Sequence, residues 1–327
     1  MSQLVTIFGG SGFVGRYVAR RMAKAGWRVR VATRNPNEAM FVRTYGTVGQ
    51  VEPVACNVRD DASVRAVLTG ADAVVYAVGV LAESGKNTFE AVQVDGPRRV
   101  AQTAAELGIS KMVLVSALGA DTSAESDYAR TKGQGEDAVL ESMPQAVILR
   151  PSIVFGPEDE FFNRFAQMSM MGPVLPVVGA ETRFQPVYVD DVAAAVEKGV
   201  TGATAPGVYA LGGPDVDTFS GLMARMLKVI NRRKLVINIP FGVANVMAFG
   251  FKVASFVSLG LIKPALTADQ IRNLAVDNVV PEGMPGLADL GIKPTALESV
   301  LPDYLWRFRP SGQYASIKDS AKNLRNS

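Results

Sequence analysis

The side chains available for chemistry in this sequence are few in kind. Among 327 residues there is no histidine and a single cysteine, Cys56. Imidazole metal sites, Ser–His or Cys–His nucleophiles and histidine general bases are therefore excluded. So are internal disulfides and multi-thiolate clusters, and no metal site is expected. Cys56 reads as a buried structural residue. Acid–base work is left to tyrosine, lysine, serine or a carboxylate. Tyr128-Ala129-Arg130-Thr131-Lys132 sets a tyrosine and a lysine four apart, on one face of a helix. A phenol near pKa 10 is a poor acid–base group until an adjacent cation stabilises its phenolate. Lys132 supplies that charge and can also hold a ribose. Ser116, at the carboxyl end of a predicted strand, is placed to polarise a substrate carbonyl. Tyr128, Lys132 and Ser116 are the candidate catalytic residues.

A second pattern supplies what such a trio would act beside. Gly9-Gly10-Ser11-Gly12-Phe13-Val14-Gly15 places glycines at G-x-x-G-x-x-G spacing between the first predicted strand and the first helix. The first glycine permits a tight turn, the second lets the backbone approach a pyrophosphate, and the third lets the helix pack on the sheet. The helix N-terminus then offers free N–H groups to the phosphates. The end of the second strand selects the nucleotide, because an acid there would bind the ribose 2′-hydroxyl. Residues 28–37 (RVRVATRNPN) contain no acid, and Arg34 stands at the selecting position. A guanidinium suits a 2′-phosphate, so the expected cofactor is NADP(H).

The elements that must carry these residues alternate in type. Leu4–Phe8, Arg28–Thr33, Val51–Ala55, Ala73–Tyr76, 112–116 and 146–150 read as strands apolar enough to be buried on both faces. Between them 13–25, 38–45, 62–68, 89–107 and 127–141 carry helical patterns. The alternation predicts an α/β fold, a Rossmann-type doubly wound parallel sheet. After Pro151 the pattern loosens, with 190–198 and 219–230 helical and 208–211 a further strand. The expected organisation is a nucleotide-binding domain over 1–155, a mainly helical substrate or docking region over 156–309 interleaved with it, and a polar tail over 310–327.

The charge balance of +3 is too mild to argue for nucleic acid, and none is expected as a partner. The apolar run 4–8 leads straight into the glycine turn and leaves no room for a signal peptide, so the chain is expected to stay where it is made or to have already lost a presequence. Segment 241–262 (FGVANVMAFGFKVASFVSLGLI) is long enough to span a bilayer, but Lys252, Asn245, Ser255, Ser258 and its glycines weigh against it. A buried core helix and a helix docked on a membrane or partner are the two other readings. The preceding Arg232, Arg233 and Lys234 favour docking, since anionic headgroups would attract them.

Taken together, the glycine loop, Ser116, Tyr128, Lys132 and the runs LRPSIVFGP (149–157) and PVYVDDVA (186–193) resemble the short-chain dehydrogenase/reductase superfamily in its extended branch, over roughly residues 3–215. The resemblance implies that Asn57 and Val58 contact adenine. It adds Ala77, Val78 and Gly79 after the fourth strand, Lys132 and Pro151 to the cofactor-binding set. Two features depart from the pattern: only 11 residues separate Ser116 from Tyr128, and Gln93 stands where asparagine is usual. More narrowly, Gly9–Val14, 128–135, 155–162 and TADQIRNLAVDNVV (267–280) resemble the nucleotide-binding accessory subunits of respiratory complex I and their bacterial relatives. That implies NADPH held for a structural or regulatory role, complex I core subunits as partners, and a lipid surface met through 228–262. It also implies a peripheral place on the cytoplasmic face of a bacterial inner membrane or its matrix-side equivalent. A free NADP(H)-dependent reductase or epimerase using Tyr128, Lys132 and Ser116, and a non-catalytic NADPH sensor, remain the alternatives.

Overall fold

A computed structural model describes residues 2–257, 267–310 and 312–314. Positions 258–262 of the apolar segment, and the tail beyond Pro310 apart from 312–314, lie outside the described residues. The chain divides into two compact units, one of residues 1–152, 189–212 and 280–294, the other of 153–188, 213–279 and 295–327.

The first unit is built on a seven-stranded, wholly parallel sheet. Its strands are β1 (Leu4–Phe8), β2 (Arg28–Thr33), β3 (Val51–Ala55), β4 (Ala73–Tyr76), β5 (Lys111–Val115), β6 (Val147–Pro151) and, last, Gly207–Leu211. Their spatial order is Gly207–Leu211, β6, β5, β4, β1, β2, β3. β1 and β4 are buried along their whole length, which is why their sequences are largely apolar rather than alternating; Thr6 in β1 gives its buried hydroxyl to the Val67 carbonyl at 2.8 Å. The chain winds outward from β1 through β2 to β3, then returns to β4 and winds the other way. The order therefore reverses between β1 and β4, where sheets of this kind bind ligands at the carboxyl ends of their strands. The crossovers are α1 (Phe13–Lys24), α2 (Asp61–Leu68), α3 (Asp95–Glu106) and α4 (Asp127–Ser142). Helix Val189–Thr201 lies along α1, and Arg21 of α1 pairs with its Asp190 at 2.7 Å and Glu197 at 3.2 Å.

Two crossovers differ from the plain α-helices expected. Pro36–Tyr45 is a 3-10 helix, and its buried residues Ala39 and Val42 are spaced three apart, the repeat of that helix. Within 89–107 a π-type turn, Glu90–Val94, precedes α3. Pro97 has no N–H to give the Gln93 carbonyl, so the regular ladder fails there. The Gln93 carbonyl packs instead against α4, where a methyl group on Gly135 would stand 2.0 Å from it.

The second unit has a smaller core of its own. Phe155, Phe161, Phe162, Phe165, Phe184 and Phe219 pack with neighbouring ring centroids 5.0 to 6.3 Å apart. Helix Phe219–Val229, capped by the Thr218 hydroxyl, adds Leu222, Met223 and Met226. The buried Asp159 carboxylate accepts from the Tyr304 hydroxyl and the Gly156 and Asn163 N–H groups, joining helix Leu297–Leu305 to that cluster. Val174–Val178 and Leu235–Ile239 form a parallel pair that short, half-exposed runs did not announce. Helix Phe241–Val257 buries Ala244 and Ala248 while exposing Val243, Val246, Met247 and Phe249. Among the described residues no helix is long and apolar enough to cross a membrane.

The close approach of Gly135 to Gln93 makes the first stability test. Gly135→Ala should lower the free energy of unfolding by about 1–3 kcal/mol through overpacking, read from the urea midpoint at unchanged slope. An unchanged midpoint would show that the two helices can separate freely.

Candidate functional site

The glycine loop closes on itself with no room for side chains. Gly9 adopts φ +77°, and a methyl group there would stand 2.8 Å from the Ala77 carbonyl oxygen. A methyl on Gly15 would stand 2.2 Å from the Gly9 oxygen, so α1 begins in contact with the turn that leaves β1. The Gly12 N–H donates to the Gly9 oxygen at 2.9 Å, and Gly12 caps α1 without a side chain. No acid occupies the first turn of α1. The helix thus presents unneutralised N–H groups at the carboxyl end of β1, a cradle that fits a pyrophosphate.

The other cofactor candidates surround this loop. Phe13 and Val14 are half-buried in the first turn of α1, and the Ser11 hydroxyl donates to Thr33 Oγ1 at 3.2 Å, tying the loop to the end of β2. Arg34 follows immediately and is exposed. Asn57, exposed beyond β3, accepts the Arg59 N–H on its Oδ1 at 3.1 Å, while Val58 packs against the core. Ala77, Val78 and Gly79 run off the end of β4, with Ala77 against Gly9 as described. Pro151 is buried at the end of β6, its carbonyl accepting the Leu118 N–H at 2.8 Å.

Tyr128 and Lys132 share a face of α4, with the Lys132 Nζ 6.0 Å from the centre of the Tyr128 ring. The Tyr128 ring also meets Phe89 edge-on at 6.0 Å. Lys132 is buried and its Nζ donates to the Val115 carbonyl at 3.3 Å, while Gly79 leaves it space on the other side, a methyl there falling 3.7 Å away. Burial lowers the Lys132 ammonium to about 8, with Glu136 opposing the shift. Burial raises the Tyr128 phenol to about 12.

Ser116 lies beside them just past β5, but its hydroxyl donates to the buried Glu136 carboxylate. Arg150 grips the same carboxylate through Nε at 3.0 and 3.1 Å and through Nη2 at 2.6 Å. The Ser116 proton therefore points at Glu136 rather than at a substrate carbonyl. Sequence reasoning missed Glu136 and Arg150. Their signal was present in the second i+4 step on α4, Lys132 to Glu136, and in the arginine of the LRP run. Gln93 is also engaged, its Nε2 donating to the Val80 carbonyl at 2.9 Å and its Oε1 accepting from Thr131 at 3.0 Å.

Residues 5–212 match the NAD dependent epimerase/dehydratase family, and the chain belongs to that family. The cofactor class that goes with this family is an NAD(P) dinucleotide. Along nearly its full length the chain is similar to NADH dehydrogenase [ubiquinone] 1 alpha subcomplex subunit 9, mitochondrial, of Arabidopsis thaliana, at 34% identity over 94% of this chain and 79% of that one. The Mus musculus protein of the same name is 32% identical over 94% of this chain and 80% of its own. In fold it resembles NADPH-dependent quinone oxidoreductase QOR2 from Escherichia coli, solved with NADPH, at TM-score 0.69 and 18% identity over 92% of this chain and 98% of that one.

The two shifted groups give opposite slopes of stability against pH. Lys132, lowered from an ordinary 10.5 to about 8, is neutral in the folded chain while still charged in the unfolded one between those values, so stability rises with pH across that window. Tyr128, raised from 10.0 to about 12, keeps its proton on folding while the unfolded chain loses it, so stability falls as pH climbs from 10 towards 12. Denaturant unfolding of nucleotide-free protein should show Lys132→Met flattening the first slope and Tyr128→Phe the second. Identical profiles for all three proteins would refute both shifts.

Proposed function

We propose that this chain is an NADPH-binding accessory subunit of NADH:ubiquinone oxidoreductase, respiratory complex I, in which the bound nucleotide has a structural or regulatory role. The observation that carries this reading is the extent of similarity. The family match ends at residue 212, yet the resemblance to the subunit 9 proteins spans 94% of the chain and so takes in most of the region beyond the shared fold. The site agrees with it. A phenol held near 12 and a serine proton committed to Glu136 are poor starting points for proton transfer at neutral pH. When bound, a nicotinamide nucleotide supplies hydride chemistry; what these residues do is hold it. The N–H groups in the first turn of α1 take the pyrophosphate, Lys132 takes the ribose, and Arg34 takes the 2′-phosphate that marks NADPH.

The partners follow from the same reading: complex I core subunits, and an anionic lipid surface met through residues 228–262. Lys228, Arg232, Arg233 and Lys234 line a shallow pocket of about 510 Å³ beside the exposed Leu235. This combination of cations and apolar side chains suits a headgroup layer. The location is peripheral, on the cytoplasmic face of a bacterial inner membrane or the matrix-side equivalent.

Membranes of the source organism, solubilised in mild detergent and separated on native gels, test the assignment. The chain should migrate with NADH:ubiquinone oxidoreductase activity and release NADPH on denaturation. A free monomer or dimer that reduces carbonyl substrates, and loses that activity on Tyr128→Phe, would replace this reading with a soluble reductase. Nucleotide choice is tested separately. Arg34→Glu should cut the ratio of NADPH to NADH affinity at least tenfold by fluorescence titration, and an unchanged ratio would remove Arg34 as the discriminator.

A further inference from the structure

The strand order places β1 and β2 between β4 and β3, so the ends of the two outer strands stand about 14 Å apart at the usual strand spacing. The loops that leave those two ends nevertheless meet. Arg59, in the turn between β3 and α2, donates from Nη1 to the Lys86 carbonyl at 3.0 Å. Lys86 belongs to residues 80–88, which run from the end of β4 towards the π-type turn. We propose that this contact is a latch, closing the 80–88 loop as a strap over the adenosine end of the dinucleotide site and setting how slowly the nucleotide leaves. The latch rests on the dinucleotide reading and adds to it the means of retention.

The strap is built to move as one piece. Its ends are pinned, the Gln93 Nε2 donating to the Val80 carbonyl at 2.9 Å and the Glu83 carboxylate accepting the Phe89 N–H at 2.8 Å. At its tip Ser84 and Asn87 exchange backbone hydrogen bonds at 3.2 and 3.0 Å around Gly85, whose φ of +55° makes the turn. Residues 81–86 are all exposed, so the hairpin takes little hold from packing. The hold comes from Arg59, which is half-buried and itself fixed. Its backbone N–H and its Nε both donate to the Asn57 Oδ1, at 3.1 and 3.4 Å. Asn57 and Val58 are the residues expected at the adenine, so one arginine ties the adenine wall to the strap. Between the two loops lies the carboxyl edge of β1 and β2, which carries the glycine loop and Arg34. A nucleotide seated on that edge leaves past the adenine wall only when the Arg59–Lys86 bond opens. That bond is charge-assisted yet exposed, so it opens far more often than the core unfolds and limits release without forbidding exchange.

Stopped-flow displacement of NADPH from the full chain by excess NADP⁺, followed by NADPH fluorescence, tests the latch. Arg59→Ala should raise the NADPH dissociation rate at least tenfold and change the association rate less than threefold. Hydrogen exchange at amides 82–88 should quicken in the same variant with no nucleotide present. Arg59→Lys keeps the charge but lacks the planar fork that reaches Asn57 and Lys86 together, so its dissociation rate should rise at least threefold. An unchanged dissociation rate in Arg59→Ala, whether or not its loop amides loosen, would take the strap out of the exit path. Faster dissociation without quicker exchange at 82–88 would make Arg59 a nucleotide contact and no latch. Wild-type rates in Arg59→Lys beside fast release in Arg59→Ala would leave only its charge at work, and each of these three results overturns the proposal. A wild-type chain that binds neither NADPH nor NADH would instead overturn the dinucleotide reading itself. Unfolding midpoints measured without nucleotide report whether each variant is folded.

Discussion

Between the turn that leaves β1 and the helix that follows it there is no space for a single methyl group. Gly15 lies against the Gly9 carbonyl, and Gly9 in turn lies against Ala77 at the end of β4. Three backbone segments from β1, α1 and β4 thus meet without side chains between them, at the point where the strand order reverses. The position of α1 follows from that contact, and with it the direction in which its free N–H groups point. The same helix carries Arg21 to Asp190 and Glu197, so the returning segment Val189–Thr201 is placed by the packing of the glycine turn. A side chain at Gly9 or Gly15 would disturb ligand cradle and helix packing together.

The buried charges beneath α4 obey a different constraint. A lysine and a glutamate are both taken out of water within one helical turn of each other, with an arginine reaching in from β6. Ionised groups in such a place persist only when paired and hydrogen-bonded. Arg150 and Ser116 both donate to the Glu136 carboxylate. Burial loosens the proton of Lys132 against the opposing pull of Glu136, and burial likewise raises the Tyr128 phenol. The Tyr-x-x-x-Lys spacing is intact, and burial shifts both of its groups towards their neutral forms.

Much of the first unit was legible because its signals are local and strong. Strands buried on both faces announce themselves as apolar runs, and the glycine spacing marks the loop between β1 and α1. What escaped was set by partners distant in sequence. Nothing within Pro36–Tyr45 distinguishes a 3-10 helix from an α-helix until Ala39 and Val42 are seen to be the residues it buries. The π-type turn at Glu90–Val94 depends on Pro97, which was visible, and on the close approach of Gly135 from another helix, which was not. Tyr128 and Lys132 could be paired by spacing alone. The destination of the Ser116 proton could not, because Glu136 lies 20 residues away along the chain. Strand pairing of Leu235–Ile239 with Val174–Val178 joins two short apolar runs some sixty residues apart, and neither run names its partner.

The stretch 267–280 that weighed in recognising the narrower resemblance turns out to have a mechanical role in the second unit. The Thr267 hydroxyl and the Gln270 side chain cap helix Ala268–Leu274 reciprocally. Asp277 then accepts the N–H and Nε of Arg183 at 2.8 Å each, and the Asn278 N–H returns to the Arg183 carbonyl at 2.8 Å. These contacts hold one side of a unit whose other elements are poorly covered. Leu235, 65% exposed, pairs in register with exposed Val174, and Met171 at 85%, Val246 at 73% and Phe249 at 69% add to the apolar surface. Over 241–250, helix Phe241–Val257 turns only the small side chains of Ala244 and Ala248 inward. Large side chains left in water in such number gain free energy when something covers them.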